Sequence, residues 1–528
     1  MPNPPVSPFT KKPAKANTKD NKLRTLCPCL LLFFITAPLL PAEEPLIPGI
    51  TEEDESAPFL SLHEALTEAL SHNLDLEAER QLEKRTLEGL SIAQAPFDPR
   101  LELRTSTSTR QQSRAASELD GAPRPREETF QTRAILRQRA TPGTEFSLST
   151  VLNRRETNSD RATLNPASDA DVSLDIRQPL LRHRGREVNR AEIEKSLLEQ
   201  ERAGKQFKSR AMDLILETEL AYYALAVAHE ERQLRELSLR IAQQLLADSQ
   251  LRREAGAGTR LDILRAEVRV ADNQESLLQA EQTLQNRKDT LLDLLGPVPN
   301  EEDFRRNFRV APIEAPKVTS FEVQSVLARA LEQDPDRQSL IHRISQLDID
   351  ETVARNRRLP NLDLGGNLSF TGREEGFDRA FRELSDGEGY FWQVDLTLQV
   401  PWGMREERSR YRQARLQLHR ERILLQRLEQ SLRVGARDAV RAVRTARERL
   451  EVSRLGTSLS EEQLNLETER YQAGAGTSRE VLDAQEDFES ARLRELRALR
   501  DLREAVSRLR RFEGDNLSWH GLVLEERY

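Results

Sequence analysis

The chain has 528 residues, 32% charged, 37% hydrophobic and 5% aromatic, with a net charge of −8. No run approaches the roughly 18 consecutive apolar residues that a membrane-spanning helix needs, and the acidic balance argues against nucleic acid as a partner. Composition alone describes a helix-rich, coiled-coil-like protein.

The start of the chain changes that picture. Lys11, Lys12, Lys15, Lys19, Lys22 and Arg24 precede an apolar stretch from Leu26 to Leu40, which closes in Leu40-Pro41-Ala42. A basic region, an apolar core and a small residue form the pattern of a secretory signal, so residues 1–42 are predicted to be removed and 43–59 to serve as a linker. Both cysteines, Cys27 and Cys29, would leave with the signal, and no thiol or disulfide chemistry is then expected. They stand at the beginning of the apolar stretch rather than its end, which argues against a lipid anchor.

A first unit is predicted over 60–296. Leu62, Leu66, Leu70, Leu74 and Leu82 recur at helical spacing between Leu60 and Ala95. Pro99 marks a switch to extended chain, and the strand region runs to Pro179. Within it, Val172, Leu174 and Ile176 alternate with Ser173, Asp175 and Arg177, and further alternating segments lie near Thr129–Arg137 and Glu145–Leu152. A proline-free helical stretch follows over about Glu187–Glu254, where ~68 residues give roughly 100 Å of helix. Its stripe of Leu234, Leu237, Ile241 and Leu245 needs a neighbouring helix to be buried. A tip at 255–259 and a shorter helix, Leu261–Leu295, complete the unit. The proline-rich, acidic segment 297–320 links it to the next.

The second unit, 321–514, repeats the plan and leaves 515–528 as a tail. Arg253-Glu254-Ala255-Gly256-Ala257-Gly258-Thr259 returns as Tyr471-Gln472-Ala473-Gly474-Ala475-Gly476-Thr477, and Gly296 matches Gly514 at the same offset. Pro99 falls on Pro360 when Ala69-Leu70 is set on Ala330-Leu331. Strands are predicted over 360–401: Leu362, Leu364, Leu368 and Phe370 share one parity, as do Trp392, Val394, Leu396, Leu398, Val400 and Trp402. The two tryptophans would stand roughly 33 Å apart along one strand, which suits aromatic girdles at the edges of an outer-membrane apolar band about 25 Å tall. The long helix spans about Arg405–Tyr471, the tip 473–477 and the short helix Arg479–Phe512. Because the first strand region is about twice as long as the second, the sequence permits four strands from the first unit and two from the other. It leaves open whether the extra pair joins a barrel or caps it from outside.

In this order, the repeated Ala-Gly-x-Gly-Thr tip, the following Leu261-Asp262-Ile263-Leu264-Arg265-Ala266-Glu267 and Glu480-Val481-Leu482-Asp483-Ala484-Gln485, the Pro-x-Leu-x-Leu strand openings and Gln178-Pro179-Leu180-Leu181 resemble the outer membrane efflux protein family, the TolC-like exit ducts. The resemblance covers about Leu60 to Gly514. It implies a mainly α fold with transmembrane β: two internal repeats forming a trimeric α-barrel topped by an outer-membrane β-barrel of twelve strands. The partners implied are two further copies, a periplasmic adaptor, an inner-membrane pump and outer-membrane lipid. The enlarged first strand region departs from that pattern.

The resemblance also carries site residues. Glu480 and Asp483 match positions whose acids ring the constricted periplasmic mouth, where clustered carboxylates favour cations. The competing reading is local, because Thr477-Ser478-Arg479-Glu480 and Thr259-Arg260-Leu261-Asp262 both have capping-box spacing. Asp262 is the first-unit acid counted with the gate candidates; Arg265 stands where the second unit has Asp483, so Arg265 or Arg260 is a candidate to pair with second-unit acids and latch the mouth. Gly256, Gly258, Gly474 and Gly476, with Thr259 and Thr477, are expected to turn the chain and to meet the adaptor; no phosphate-loop lysine accompanies them. Trp392 and Trp402 are the girdle candidates, with core packing as the alternative. The seven histidines are dispersed, no nucleophile elbow is present, and neither cofactor nor catalytic activity is expected. The function expected is passive conduction through a channel-tunnel of an efflux or type I secretion system, with its energy supplied by the pump. The alternative is a structural periplasmic coiled-coil tether. The cargo is not legible.

Overall fold

The computed structural model describes residues 58–116, 118–256, 258–297, 308–316 and 321–524, all within the unit Ser56–Tyr528. The expected signal, most of the 43–59 linker, much of 297–320 and the last four residues lie outside the described residues.

In chain order the elements are α1 (Leu62–His72), α2 (Leu74–Gln94), β1 (Arg100–Gln111), β2 (Arg126–Arg139), β3 (Glu145–Thr157), β4 (Ala167–Pro179), α3 (Ala191–Glu254) and α4 (Arg260–Leu295). The second half follows with α5 (Val323–Gln333), α6 (Pro335–Asn356), β5 (Asn361–Glu374), α7 (Phe377–Asp386), β6 (Gly389–Gln399), α8 (Arg405–Gln472) and α9 (Ser478–Glu513). The fold is mainly helical. Among the described residues no helix is long and apolar enough to cross a membrane.

Each opening helix, expected to be continuous, is broken in two. Asn73 leaves the helical conformation and accepts the Leu76 amide at 3.1 Å, so it ends α1 and starts α2. Asp334 does the same through the Arg337 amide at 2.6 Å, with Pro335 in the first turn of α6. A side chain that bonds a nearby amide competes with the helix interior, and proline at the first position has no amide to lose.

The broken helices stack end to end with the short returning ones. Gly296, which closes α4 at φ +115, lies so close to α1 that a β-carbon on it would meet the His72 carbonyl at 2.5 Å; Gly514, closing α9 at φ +80, lies 3.1 Å from Gln333 at the end of α5 by the same measure. Asn73 Nδ2 adds a bond to the Leu294 carbonyl at 3.1 Å. Long α3 therefore packs on α4 over one half and α2 over the other, and α8 likewise packs on α9 and α6. With 64 and 68 residues, α3 and α8 are roughly 100 Å long. The core lies where the stacked ends meet α3, in a cluster that includes Leu76, Phe207, Leu214, Tyr222, Leu291 and Leu295.

The strands form one six-stranded sheet in the order β1-β2-β3-β4-β5-β6, every neighbour antiparallel. The extra hairpin of the first half, β2–β3, is thus part of the sheet. Amphipathic α7, between β5 and β6, packs on β4 and β5; Gly372 leaves room for the Ala380 carbonyl.

The stack sets a test. Gly296→Ala forces a side chain into the left-handed region and onto the His72 carbonyl, and is expected to cost about 2 kcal/mol or more, seen as a lower denaturation midpoint.

Candidate functional site: the two helical tips

The two tips have the same construction. Gly256 (φ +77) and Gly474 (φ +76) turn the chain through a region that side chains avoid. Gly258 and Gly476 have ordinary φ, but a β-carbon on them would approach the amide nitrogens of Arg253 and Tyr471 at 3.0 and 3.1 Å. Thr259 then starts α4: its Oγ1 lies 2.5 Å from Asp262 Oδ2, its amide donates to the same oxygen at 3.0 Å, and the Asp262 amide donates back to Oγ1 at 3.3 Å. Thr477 and Glu480 start α9 with the same three bonds, at 3.0, 2.7 and 3.4 Å.

These bonds set the acidity of both carboxyls. The Thr259 hydroxyl, then its amide, hold Asp262 below its ordinary range; the Thr477 amide, then its hydroxyl, do the same for Glu480. Both carboxylates are committed to capping. Asp483, one turn on, is 62% exposed and faces Arg479 of its own helix at 3.5 Å. Arg260 and Arg265 are exposed and form no ion pair among the described residues.

The halves are joined by other residues. The Arg252 guanidinium lies 3.9 Å from the centre of the Tyr471 ring and donates to the Tyr471 carbonyl at 3.1 Å. Tyr471 is buried with Leu245, Val481 and Leu482. Further from the tip, Arg269 of α4 pairs with Glu486 of α9 at 2.6 Å. Beyond that, Glu489 of α9 accepts from Arg235 and, at 2.8 Å, from Ser238 Oγ, while the Ser238 carbonyl accepts from Asn273 at 3.0 Å and Gln485 at 3.2 Å. Ser238, Asn273, Gln485 and Glu489 are all buried. Sequence reasoning passed over this layer, although its signal was present: Gln485 and Glu489 sit on the α9 face that also carries Val481, Leu482 and Leu496, and a charge in an apolar line asks for a buried partner.

The girdle candidates sit differently from each other. Trp392 lies on β6 opposite Leu368 and is 67% exposed on the apolar face. Trp402 is fully exposed but lies in the turn beyond the end of β6 at Gln399, so strand rise does not set its separation from Trp392. Among the described residues no cluster of His, Cys, Asp or Glu is placed to hold a metal ion.

Two outcomes follow. Capping by Asp262 and Glu480 rests on carboxyls whose folded pKa is depressed, so it is complete at neutral pH and is lost as pH falls through the carboxylate range. Amide exchange at the tips is expected to accelerate there, and Glu480→Gln, which keeps an acceptor, to flatten the response at the second tip alone. Glu489→Ala leaves the buried Ser238 hydroxyl without its acceptor and the half-buried Arg235 with only Glu231, 3.9 Å away, and is expected to cost about 1–3 kcal/mol in thermal unfolding.

Comparison with known proteins places this architecture. The family model described as outer membrane efflux protein matches residues 65–297 and 326–515. The pyoverdine export outer membrane protein OpmQ of Pseudomonas putida is 26% identical over 272 residues, and the match spans 50% of this chain and 53% of that relative, about half its length. Among solved structures, the outer-membrane channel OprN has a TM-score of 0.64 at 18% identity, covering 86% of this chain and 89% of its own. The Campylobacter jejuni CmeC outer membrane channel has 0.63 at 16%, covering 86% and 85%. Vibrio cholerae VceC has 0.61 at 17%, covering 86% and 96%. With its two family segments, its repeated tips and a fold shared with outer-membrane channels, the chain belongs to the outer membrane efflux protein family and is a protein of the outer membrane.

Proposed function

We propose that three copies assemble into a channel-tunnel that conducts solutes from an inner-membrane pump across the periplasm and outer membrane. The sheets would close into a β-barrel and the helices into an α-barrel of roughly 100 Å.

The observation that carries this reading is what one chain leaves uncovered. On α4, Leu261, Leu264, Val268 and Leu278 form an exposed line, and on α8 so do Val452, Leu455, Leu459 and Leu466, each more than half exposed. Both lines have coiled-coil spacing and lie on the halves of their helices near the tips. Burying one such side chain gains roughly 1.5–3 kcal/mol, and a ring of copies, α4 of one against α8 of the next, supplies the burial. The sheet edges β1 and β6 are likewise open to a neighbour.

The gate is assigned to the tips. Asp483, not engaged in capping, is the acid we place in the mouth, with Arg265 at the equivalent first-half position. Asp262 and Glu480 hold the helix starts rigid, and Gly256, Gly258, Thr259, Gly474, Gly476 and Thr477 form the surface offered to a periplasmic adaptor. Arg252–Tyr471, Arg269–Glu486 and Arg235–Glu489 hold the two hairpins of each copy together, so an iris-like opening has to loosen contacts at this level. Trp392 and Trp402 would anchor the barrel at the two membrane edges. The pump supplies energy and chooses cargo; the pyoverdine-export relative makes a small secreted solute the first cargo to assay.

Single-channel recording from purified protein in planar bilayers tests this. Small, cation-selective currents are expected. Arg269→Ala combined with Glu486→Ala should raise conductance several-fold, and Asp483→Ala should lower cation preference. Absence of any channel from folded, trimeric protein would favour the tether reading.

A further inference from the structure

We infer that the barrel wall built by this chain has eighteen strands, six from each of three copies, with the extra hairpin β2–β3 inside the wall. This rests on the trimeric reading above and goes beyond it, since the family resemblance implies twelve.

The ladders carry the first part of the argument. β2 pairs with β1 from Arg100↔Arg137 to Gln111↔Arg126, and with β3 from Glu127↔Thr157 to Arg139↔Glu145. β3 pairs in turn with β4 from Glu145↔Arg177 to Arg155↔Ala167. The hairpin is therefore bonded along both sides for all but two residues of each strand, and in the sheet β1 is not a neighbour of β4. A hairpin lying over the outside of a barrel would leave those ladders open.

The second part is the face. One cross-strand row reads Leu101, Leu136, Leu148, Leu174, Leu368, Trp392, one residue from each strand in turn. The adjacent row of opposite parity reads Arg100, Arg137, Ser147, Asp175, Asn367, Gln393. The hairpin thus supplies leucines to the same apolar band as the other strands and polar groups to the same inner face, as a barrel wall in lipid requires.

The third part is closure. β1 is exposed along its length and β6 nearly so, with Leu101 at 73% and Leu103 at 70%. An even number of strands makes β6 run antiparallel to β1 of the next copy, so the seam has the same pairing as the rest. At about 4.8 Å between strands and a tilt near 40°, eighteen strands give a backbone diameter of roughly 36 Å, against roughly 24 Å for twelve.

Disulfide trapping in native outer membranes, in a chain with Cys27→Ser and Cys29→Ser, tests the inference. Thr105→Cys with Thr132→Cys, whose hydroxyls lie 3.3 Å apart, is expected to cross-link within one chain. Leu103→Cys with Val172→Cys is expected not to, because three inter-strand steps separate them by roughly 14 Å. Single cysteines along β1 scanned against single cysteines along β6 are expected to yield species linked between copies. A β1–β4 cross-link in protein that still forms trimers would overturn the eighteen-strand wall while leaving the channel reading intact. Purified protein that is monomeric, with no β1–β6 link between copies, would overturn both.

Discussion

The architecture depends on two helix ends that meet others almost without clearance. Gly296 against His72 and Gly514 against Gln333 let a returning helix finish where an opening helix begins. With a side chain at Gly296 the backbones would have to separate, and with one at Gly514 they would have to give by a few tenths of an ångström. Because they do not, a pair of helices, α2 with α4 or α6 with α9, matches one long helix, α3 or α8, in length. The strands are thereby delivered to one end of the bundle and the two tips to the other.

That arrangement has a consequence for polarity. Coiled helices of this length would slide in register if held by leucine alone, and a buried polar layer fixes the register at a cost in stability. The Arg235–Ser238–Glu489 layer, with Asn273 and Gln485 closing on the Ser238 carbonyl, is such a device between α3, α4 and α9. Glu513 is a second example at the other end of α9, fully buried and bound by Arg329 and Arg510. Both acids come from the same helix, so α9 is pinned a third of the way along and again at its C-terminal end.

Much of this was legible because it is periodic or repeated. The long helices announce themselves by uninterrupted three-four spacing, and the tips by two glycines and a threonine that recur. The breaks at Asn73 and Asp334 were missed because a single side chain that bonds an amide three residues on leaves no mark on periodicity. The contacts between halves were missed for a different reason. Arg252 stacks on Tyr471 and Arg269 pairs with Glu486 across 217 or more residues, and in a helix where every third residue is charged, the chosen partner cannot be told from its neighbours. Tyr471 did stand out in one respect, since the first half has Arg253 at its place. An aromatic replacing a cation in an otherwise repeated tip is the mark of a contact made once rather than twice.

The two halves diverge most at the strands, and circumference explains what the divergence achieves. In the proposed trimer each copy would offer four helix positions to a ring, two long helices and two stacked pairs, so three copies would offer twelve. At a spacing near 9.5 Å that ring measures roughly 114 Å around. Twelve tilted strands would measure roughly 75 Å and eighteen roughly 113 Å. A wall of eighteen continues the helical ring without narrowing, whereas a wall of twelve has to taper within the few residues after Pro179 and Pro401. In the proposed trimer the added hairpin would therefore widen the exit alone. In that assembly the tips, alike in glycine geometry and capping in the two halves, would form the constriction at the far end, where opening would depend on how α4 and α9 are held.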